Sequence, residues 1–294
     1  PHSLFLTGDQ IYADDVADTF CTLLWNAGTQ FLGRAEEVPL FKDWKEEWDT
    51  VTLYQLWPDY RQYYANNVAG MDTEPKLATS HLFGVGEYFA MYLAVWSDVL
   101  WPSGDVSSTF PDLETVWNDG QDIPSHIFRT IRNDNGGELP SELTDSDGTA
   151  KSSLTLSTLK DETQSPKVAR DVVSEAESEY EDDKQRLQYF KEELYDVRRV
   201  LANVPTYMMW DDHDVTDDWF LTGEWVESVL SRPLGHACIQ NGMLAANVCQ
   251  MWGNQPTTYS GGSGETLLDG FDDYVDRDLD GPKSTELDDL LGIP

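Results

Sequence analysis

Two short apolar runs, far apart in the chain, each stop at an aspartate-bearing turn. Ser3-Leu-Phe-Leu-Thr7 ends at Gly8-Asp9, and Val204-Pro-Thr-Tyr-Met-Met-Trp210 ends at Asp211-Asp212-His213-Asp214. A brief apolar run closed by turn residues reads as a buried strand feeding a loop. Helical patterns fill the span between the two runs. Strand, helices and strand predict an α/β core, and ligands of such cores collect at the carboxyl ends of the strands. The pattern places both acidic turns at one edge of one sheet.

The intervening elements are predicted from spacing. Residues 14–25 carry apolar side chains at helical intervals (Val16, Phe20, Leu23, Leu24) and form a helix capped by aspartates. Residues 41–67 are rich in Trp and Tyr at helical spacing, with a break near Pro58. Residues 80–99 form the most apolar stretch, a buried helix that stops before Pro102. Asp, Glu, Ser, Thr, Gly and Pro dominate residues 133–166, which are expected to be a loop or disordered insertion. A long amphipathic helix follows, with Leu187, Phe190, Leu194, Val197 and Leu201 on one face. Residues 235–252 are again apolar and helical.

The chain has 54 Asp plus Glu against 19 Lys plus Arg, a formal net charge of −35. Such a surface repels polynucleotide phosphates and anionic lipid. The acids are spread along the whole length, a distribution suited to concentrated salt, where charges are screened within a few ångströms. The 11 Trp and 40% apolar residues are ample for a core. Three cysteines, Cys21, Cys238 and Cys249, do not make a disulfide framework, so a reducing compartment and three core thiols are expected. No run has the apolar length of a membrane span. Together these readings point to the cytoplasm of a high-salt cell. The chain enters a strand at once after Pro1 and ends on Leu290-Leu-Gly-Ile-Pro294, which suggests a fragment in which a secretion signal would not be visible.

The two turns carry the chemistry. After Gly8 the chain offers the Asp9 carboxylate and, three residues on, the Tyr12 phenol. Carboxylate oxygens are hard ligands, and ferric iron is acidic enough to take a phenolate, as it does in some haem proteins. In the second turn three carboxylates surround one of only five histidines. Their mutual repulsion is costly unless a cation neutralises it.

Taken together, the motifs resemble the PhoD-like (alkaline phosphatase D) branch of the metallophosphatases related to calcineurin and the purple acid phosphatases. Gly8-Asp9-x-x-Tyr12 resembles the second signature of those enzymes, and Asp211-Asp212-His213-Asp214 resembles the Asp-Asp-His-Glu signature of the PhoD-like branch. Residues 6–15, 81–92 and 205–219 also look like PhoD-like sequence. The likeness runs from residue 3 to about residue 255, with a gap over the acidic insertion.

The resemblance implies a sandwich of two mixed sheets flanked by helices, present here in part. It implies hydrolysis of phosphate mono- or diesters at a dinuclear centre, with iron(III) plus calcium as the pair and manganese or zinc as alternatives. By the same resemblance, Asp9 bridges the metals, Tyr12 ligates iron and Asp212 ligates the second metal. His213 faces the phosphate as acid or charge stabiliser, Asp214 orients His213, and Asp211 stands behind the ligands. Two family elements, an earlier strand with ligands and a late Gly-Asp-x-His or Gly-His-x-His, do not occur in this sequence. They are expected before Pro1 and after Pro294, and their absence leaves the piece itself weakly active.

One rival pattern stands apart. Asp276, Asp278 and Asp280 with Gly281 match the opening of an EF-hand calcium loop, but its twelfth position is Leu287, with Glu286 one residue early. A non-catalytic calcium-binding or interaction module is the alternative function. His81 and Arg61 are expected to serve packing, Arg61 with a snorkelled charge.

Overall fold

The computed structural model describes residues 2–42, 47–53, 56, 61–71, 78, 80–113, 123, 125–217, 219, 221–276 and 285–294. The chain is a mixed α/β protein in which helices dominate. It divides into two compact units, Pro1–Trp101 with Lys191–Pro294, and Pro102–Phe190.

In the first unit, β1 (Leu4–Thr7) pairs in parallel with β4 (Thr206–Met209), Leu4 opposite Thr206 and Thr7 opposite Met209. Both strands leave the pair in the same direction, so their two carboxyl-terminal turns emerge side by side. The strands are half-buried rather than wholly buried. Phe5, Tyr207 and Met209 lie exposed on one face, with the Phe5 and Tyr207 rings stacked at 5.3 Å. The second sheet is the antiparallel pair β2 (Glu37–Lys42) and β3 (Glu47–Thr52). Those strands replace much of the helix expected over residues 41–67. Among the described residues of this stretch, longer helical turns lie at Arg61–Tyr63 and Tyr64–Val68. The strands themselves hold Val38, Val51, Thr50 and Thr52, β-branched residues that favour a pleated strand, and only one Trp, so the aromatic spacing did not govern them.

The core of this unit is helical. α1 (Asp18–Leu32) packs against α2 (Val85–Trp96), and α2 against α7 (Pro233–Ala246). The α1–α2 crossing is close because a glycine faces a glycine there. A Cβ on Gly28 would come within 2.7 Å of the Gly86 carbonyl carbon. α1 starts later than expected and its N-cap is Ala17 rather than an aspartate, although Asp18 sits in the first turn, where the helix dipole favours a negative charge.

Arg61 does not snorkel. It is fully buried, paired with Glu87 at 2.7 Å, and donates to the carbonyls of Leu56 and His81. Its guanidinium also lies 5.2 Å from the Trp25 ring centroid. A buried charge needs such a full complement of partners. His81 is a core histidine, as expected, though it precedes α2 rather than lying within it. Cys21 and Cys238 are buried, Cys249 is partly so, and all three are free thiols.

In the second unit, α3 (Ser125–Asp134) buries Ile127 and Ile131. Residues 133–166 are largely turns and loop, as one of the expected readings had it, but they are packed rather than disordered. Leu143, Leu156 and Leu159 are buried there, and α4 (Leu156–Lys160) starts with a reciprocal cap between Thr155 and Thr158. A few well-placed leucines and side-chain caps order a segment whose average composition suggests none. α5 (Lys167–Asn203), whose residues to Phe190 belong to the second unit and from Lys191 to the first, is the long helix predicted from its apolar stripe. That stripe is only partly covered: Leu194 is buried, while Phe190 and Val197 are exposed. α6 (Gly223–Leu230), α8 (Ser263–Asp276) and α9 (Thr285–Leu291) belong to the first unit. Among the described residues no helix is long and apolar enough to cross a membrane.

Candidate metal centre

The turn after β1 and the turn after β4 are locked to each other. The Ala13 amide donates to the His213 carbonyl at 2.9 Å. Gly8, at φ 123°, lies so close to Asp211 that a Cβ there would meet its side chain at about 3.0 Å. Only glycine meets both demands. Asp9 follows at φ 47°, a left-handed conformation uncommon outside glycine, which turns its carboxylate off the strand tip.

Asp214 is the staple. It is buried, and its carboxylate accepts from the amides of Gln10, Ile11 and Asp211 at 3.0–3.2 Å. It also accepts from Tyr92 Oη at 3.0 Å and Gln250 Nε2 at 3.1 Å. Burial pushes its carboxyl above the usual carboxylate range, against the opposing pull of these donors. The resemblance gave Asp214 the task of orienting His213. In this structure it binds the backbone of both turns instead.

The residue that orients His213 is Asp14. His213 Nδ1 lies 2.9 Å from Asp14 Oδ2 and 3.1 Å from Oδ1, and Asp14 Oδ2 also accepts from the Asp217 amide. Nδ1 is therefore the donor toward Asp14, and Nε2 faces outward, 3.8 Å from Asp217 Oδ1. Burial alone would lower the His213 pKa, but the charge and hydrogen bond of Asp14, with Asp217 and Asp212, outweigh it and raise the value. Burial raises Asp14, with His213 opposing. The Tyr12 ring packs 4.6 Å from the His213 ring.

On the other side of His213, carboxylate oxygens of Asp9, Asp211 and Asp212 all lie within 4.8 Å of one another. Asp211 thus stands among the candidate ligands rather than behind them. Tyr12 Oη reaches Asp9 Oδ2 at 3.4 Å. The Asp9 charge, foremost, raises the Tyr12 pKa, with a small contribution from burial. Without a cation the arrangement is repulsive, and a bound metal ion reverses the sign of that field.

The donor set suits such an ion. All its members are hard oxygens, and Asp9 Oδ1 is a buried atom without a hydrogen-bond partner. Asp14, His213 and Asp217 also bring ligand atoms within 4.8 Å. His213 Nδ1 and Asp14 are already committed to each other, so that pair positions the imidazole and leaves Nε2 open.

No family model, curated protein or solved structure matches this chain.

The four principal residues expected from sequence, Asp9, Tyr12, Asp212 and His213, converge at one edge of the β1–β4 pair. Asp14 and Asp217 were missed as His213 partners. Asp14 stood inside the Asp14-Asp15 pair that closes the first motif, but no spacing rule says which carboxylate will face a histidine so distant in sequence. The EF-like pattern lies largely outside the described residues. Asp278 and Asp280 are not described, and of Asp276 only the backbone, at the end of α8, is.

Proposed function

We propose that this chain carries the catalytic turns of a metal-dependent phosphoesterase of the PhoD-like kind, acting on small phosphate mono- or diesters. One observation carries the reading. Two turns from parallel neighbouring strands bring Asp9, Asp211 and Asp212 together around an unpartnered buried oxygen, with an oriented histidine beside them. Asp9, Asp211 and Asp212, with the Tyr12 phenol, would hold the metal. Iron(III) with calcium is the proposed pair, with manganese or zinc as alternatives. When bound, such ions activate water and offset charge on the phosphoryl oxygens.

The protein's own groups supply the rest. Asp14 fixes His213 with Nδ1 protonated and keeps the imidazolium populated at higher pH. Nε2 is then free to donate a proton or hydrogen bond to the phosphoester. The larger architecture proposed is the two-sheet sandwich, with β1 and β4 as adjacent strands of one sheet. The location proposed is the cytoplasm of a high-salt cell.

The test is reconstitution with iron(III). A Tyr12 phenolate bound to ferric iron gives a visible charge-transfer band. Tyr12→Phe should abolish the band, while His213→Ala should keep it and lower aryl phosphate hydrolysis by roughly a hundredfold or more. If iron produces no band in the wild-type protein, the tyrosinate site is refuted. Loss of metal on His213→Ala would make His213 a ligand instead.

A further inference from the structure

A cavity of about 350 Å³ opens beside the acidic cluster and shares two of its residues, Asp211 and Asp212. Trp210, Trp219, Met243, Leu291, Gly292 and Ile293 form the rest of its lining. The two indole rings stack on each other with centroids 4.7 Å apart and an interplanar angle of 22°. Met243 comes from α7, and Leu291 is the last residue of α9. The Ile293 amide donates to the Asp288 carbonyl at 3.0 Å, which ties the segment after α9 back onto that helix. Gly292 makes the reversal at φ 72°.

The lining selects its occupant by what it contains and what it lacks. No Lys or Arg is among the described lining residues, which disfavours a second phosphate. Among the described lining residues the polar side-chain groups are the two carboxylates and the indole N–H groups, and away from the carboxylates Met243, Leu291 and Ile293 give hydroxyls no partner. Indoles, a thioether and branched aliphatic groups favour a flat apolar group. The polar rim lies only at the end that adjoins the candidate metal ligands. A volume of this size suits a small organic group.

We propose that this cavity is the ester-group subsite of the phosphoesterase, and that it takes an aromatic alcohol as the esterifying group. The proposal rests on the phosphoesterase reading and deepens it. A phosphoryl group held through a metal ion at Asp9, Asp211 and Asp212 would have the Trp210–Trp219 wall beside its ester group, because Asp211 and Asp212 also line the cavity. Burying one aromatic ring there gives a preference of roughly tenfold or more over a methyl ester.

The experiment measures binding of two non-hydrolysable probes, 2-naphthylmethylphosphonate and methylphosphonate, to the full chain in saturating manganese. The aryl probe should bind at least roughly tenfold more tightly. Met243→Trp, which fills the cavity, should abolish that preference and leave methylphosphonate affinity unchanged. Ile293→Phe narrows the same space from the opposite wall and serves if Met243→Trp does not fold, as judged by circular dichroism.

Equal affinity for the two probes would overturn the proposal, as would an aryl preference that survives both variants in folded protein. Tighter binding of 2-(trimethylammonio)ethylphosphonate than of the aryl probe would also overturn it, because a cation would then be the occupant. If methylphosphonate does not bind at all, the phosphoesterase reading fails separately. Binding of 2-naphthylmethanol then decides the cavity: binding lost on Met243→Trp upholds an aromatic site, and no binding refutes it.

Discussion

His213 Nδ1 hydrogen-bonds Asp14 Oδ2 at 2.9 Å across 199 positions of sequence. The bond joins the two turns that follow β1 and β4 and sets which imidazole nitrogen faces outward. Asp14 is fully buried, so its charge acts on His213 with little solvent screening.

Replacing Asp14 by Asn should therefore lower the His213 pKa, because the Asp14 charge is the chief influence that raises it against burial. Above that lowered value the imidazole is neutral, so any activity that needs the imidazolium should lose its alkaline limb first. NMR titration of the His213 ring protons measures the shift directly. An unchanged or raised pKa in Asp14→Asn would refute the pairing.

Asp214→Ala should unfold the site rather than merely disarm it. It strips the partner from three backbone amides and from the Tyr92 hydroxyl, and leaves Gln250 Nε2 with Tyr92 Oη alone. Losses of this kind cost about 1–3 kcal/mol for each buried group left unpaired, although relaxation and water entry reduce the sum. A drop of several degrees in Tm is expected, together with faster amide exchange at Gln10 and Ile11. Wild-type exchange at both amides in the variant would show that the staple has been misread.

His81 gives the fold an acid limit. Burial, first of all, pushes it down to about 4, and Arg61 adds to that against the opposing Leu82 carbonyl, which lies 2.7 Å from Nδ1. The folded value is depressed below the ordinary value near 6.5, so the contribution is fully present above that pH. It is lost as pH falls from 6.5 toward 4, and amounts to about 3 kcal/mol. Asp14, Asp15 and Asp214 are shifted upward and act in the opposite direction. The comparison is therefore between wild type and His81→Gln, which cannot charge. Chemical denaturation at pH 7 and pH 5 should show the variant losing less stability than wild type. Equal losses would mean that His81 does not titrate in the unfolding transition.

The parts of this molecule that follow a strong local pattern could be read from sequence. β1, β4, α2, α5 and α7 all follow apolar periodicity, and the parallel pairing of β1 with β4 accounts for the convergence of Asp9, Tyr12, Asp212 and His213. Three features needed coordinates. β2 carries no Trp or Tyr and β3 only Trp48, so the aromatic spacing of the surrounding stretch did not bear on the strand residues themselves. The segment 133–166 is ordered by a handful of leucines that its composition hides. The roles of Asp14 and Asp214 depend on which carboxylate points into the core, and that is decided by packing among Tyr92, Gln250 and Ile11.

The central claim is that Asp9, Asp211 and Asp212 hold a metal ion, and calorimetric titration with manganese tests it most directly. The account predicts saturable binding by the wild-type chain. Asp9→Asn and Asp212→Asn should each weaken it by roughly tenfold to a hundredfold, and His213→Ala should leave it nearly unchanged. Binding in the wild type that Asp9→Asn does not weaken, or no saturable binding at all, would contradict the account.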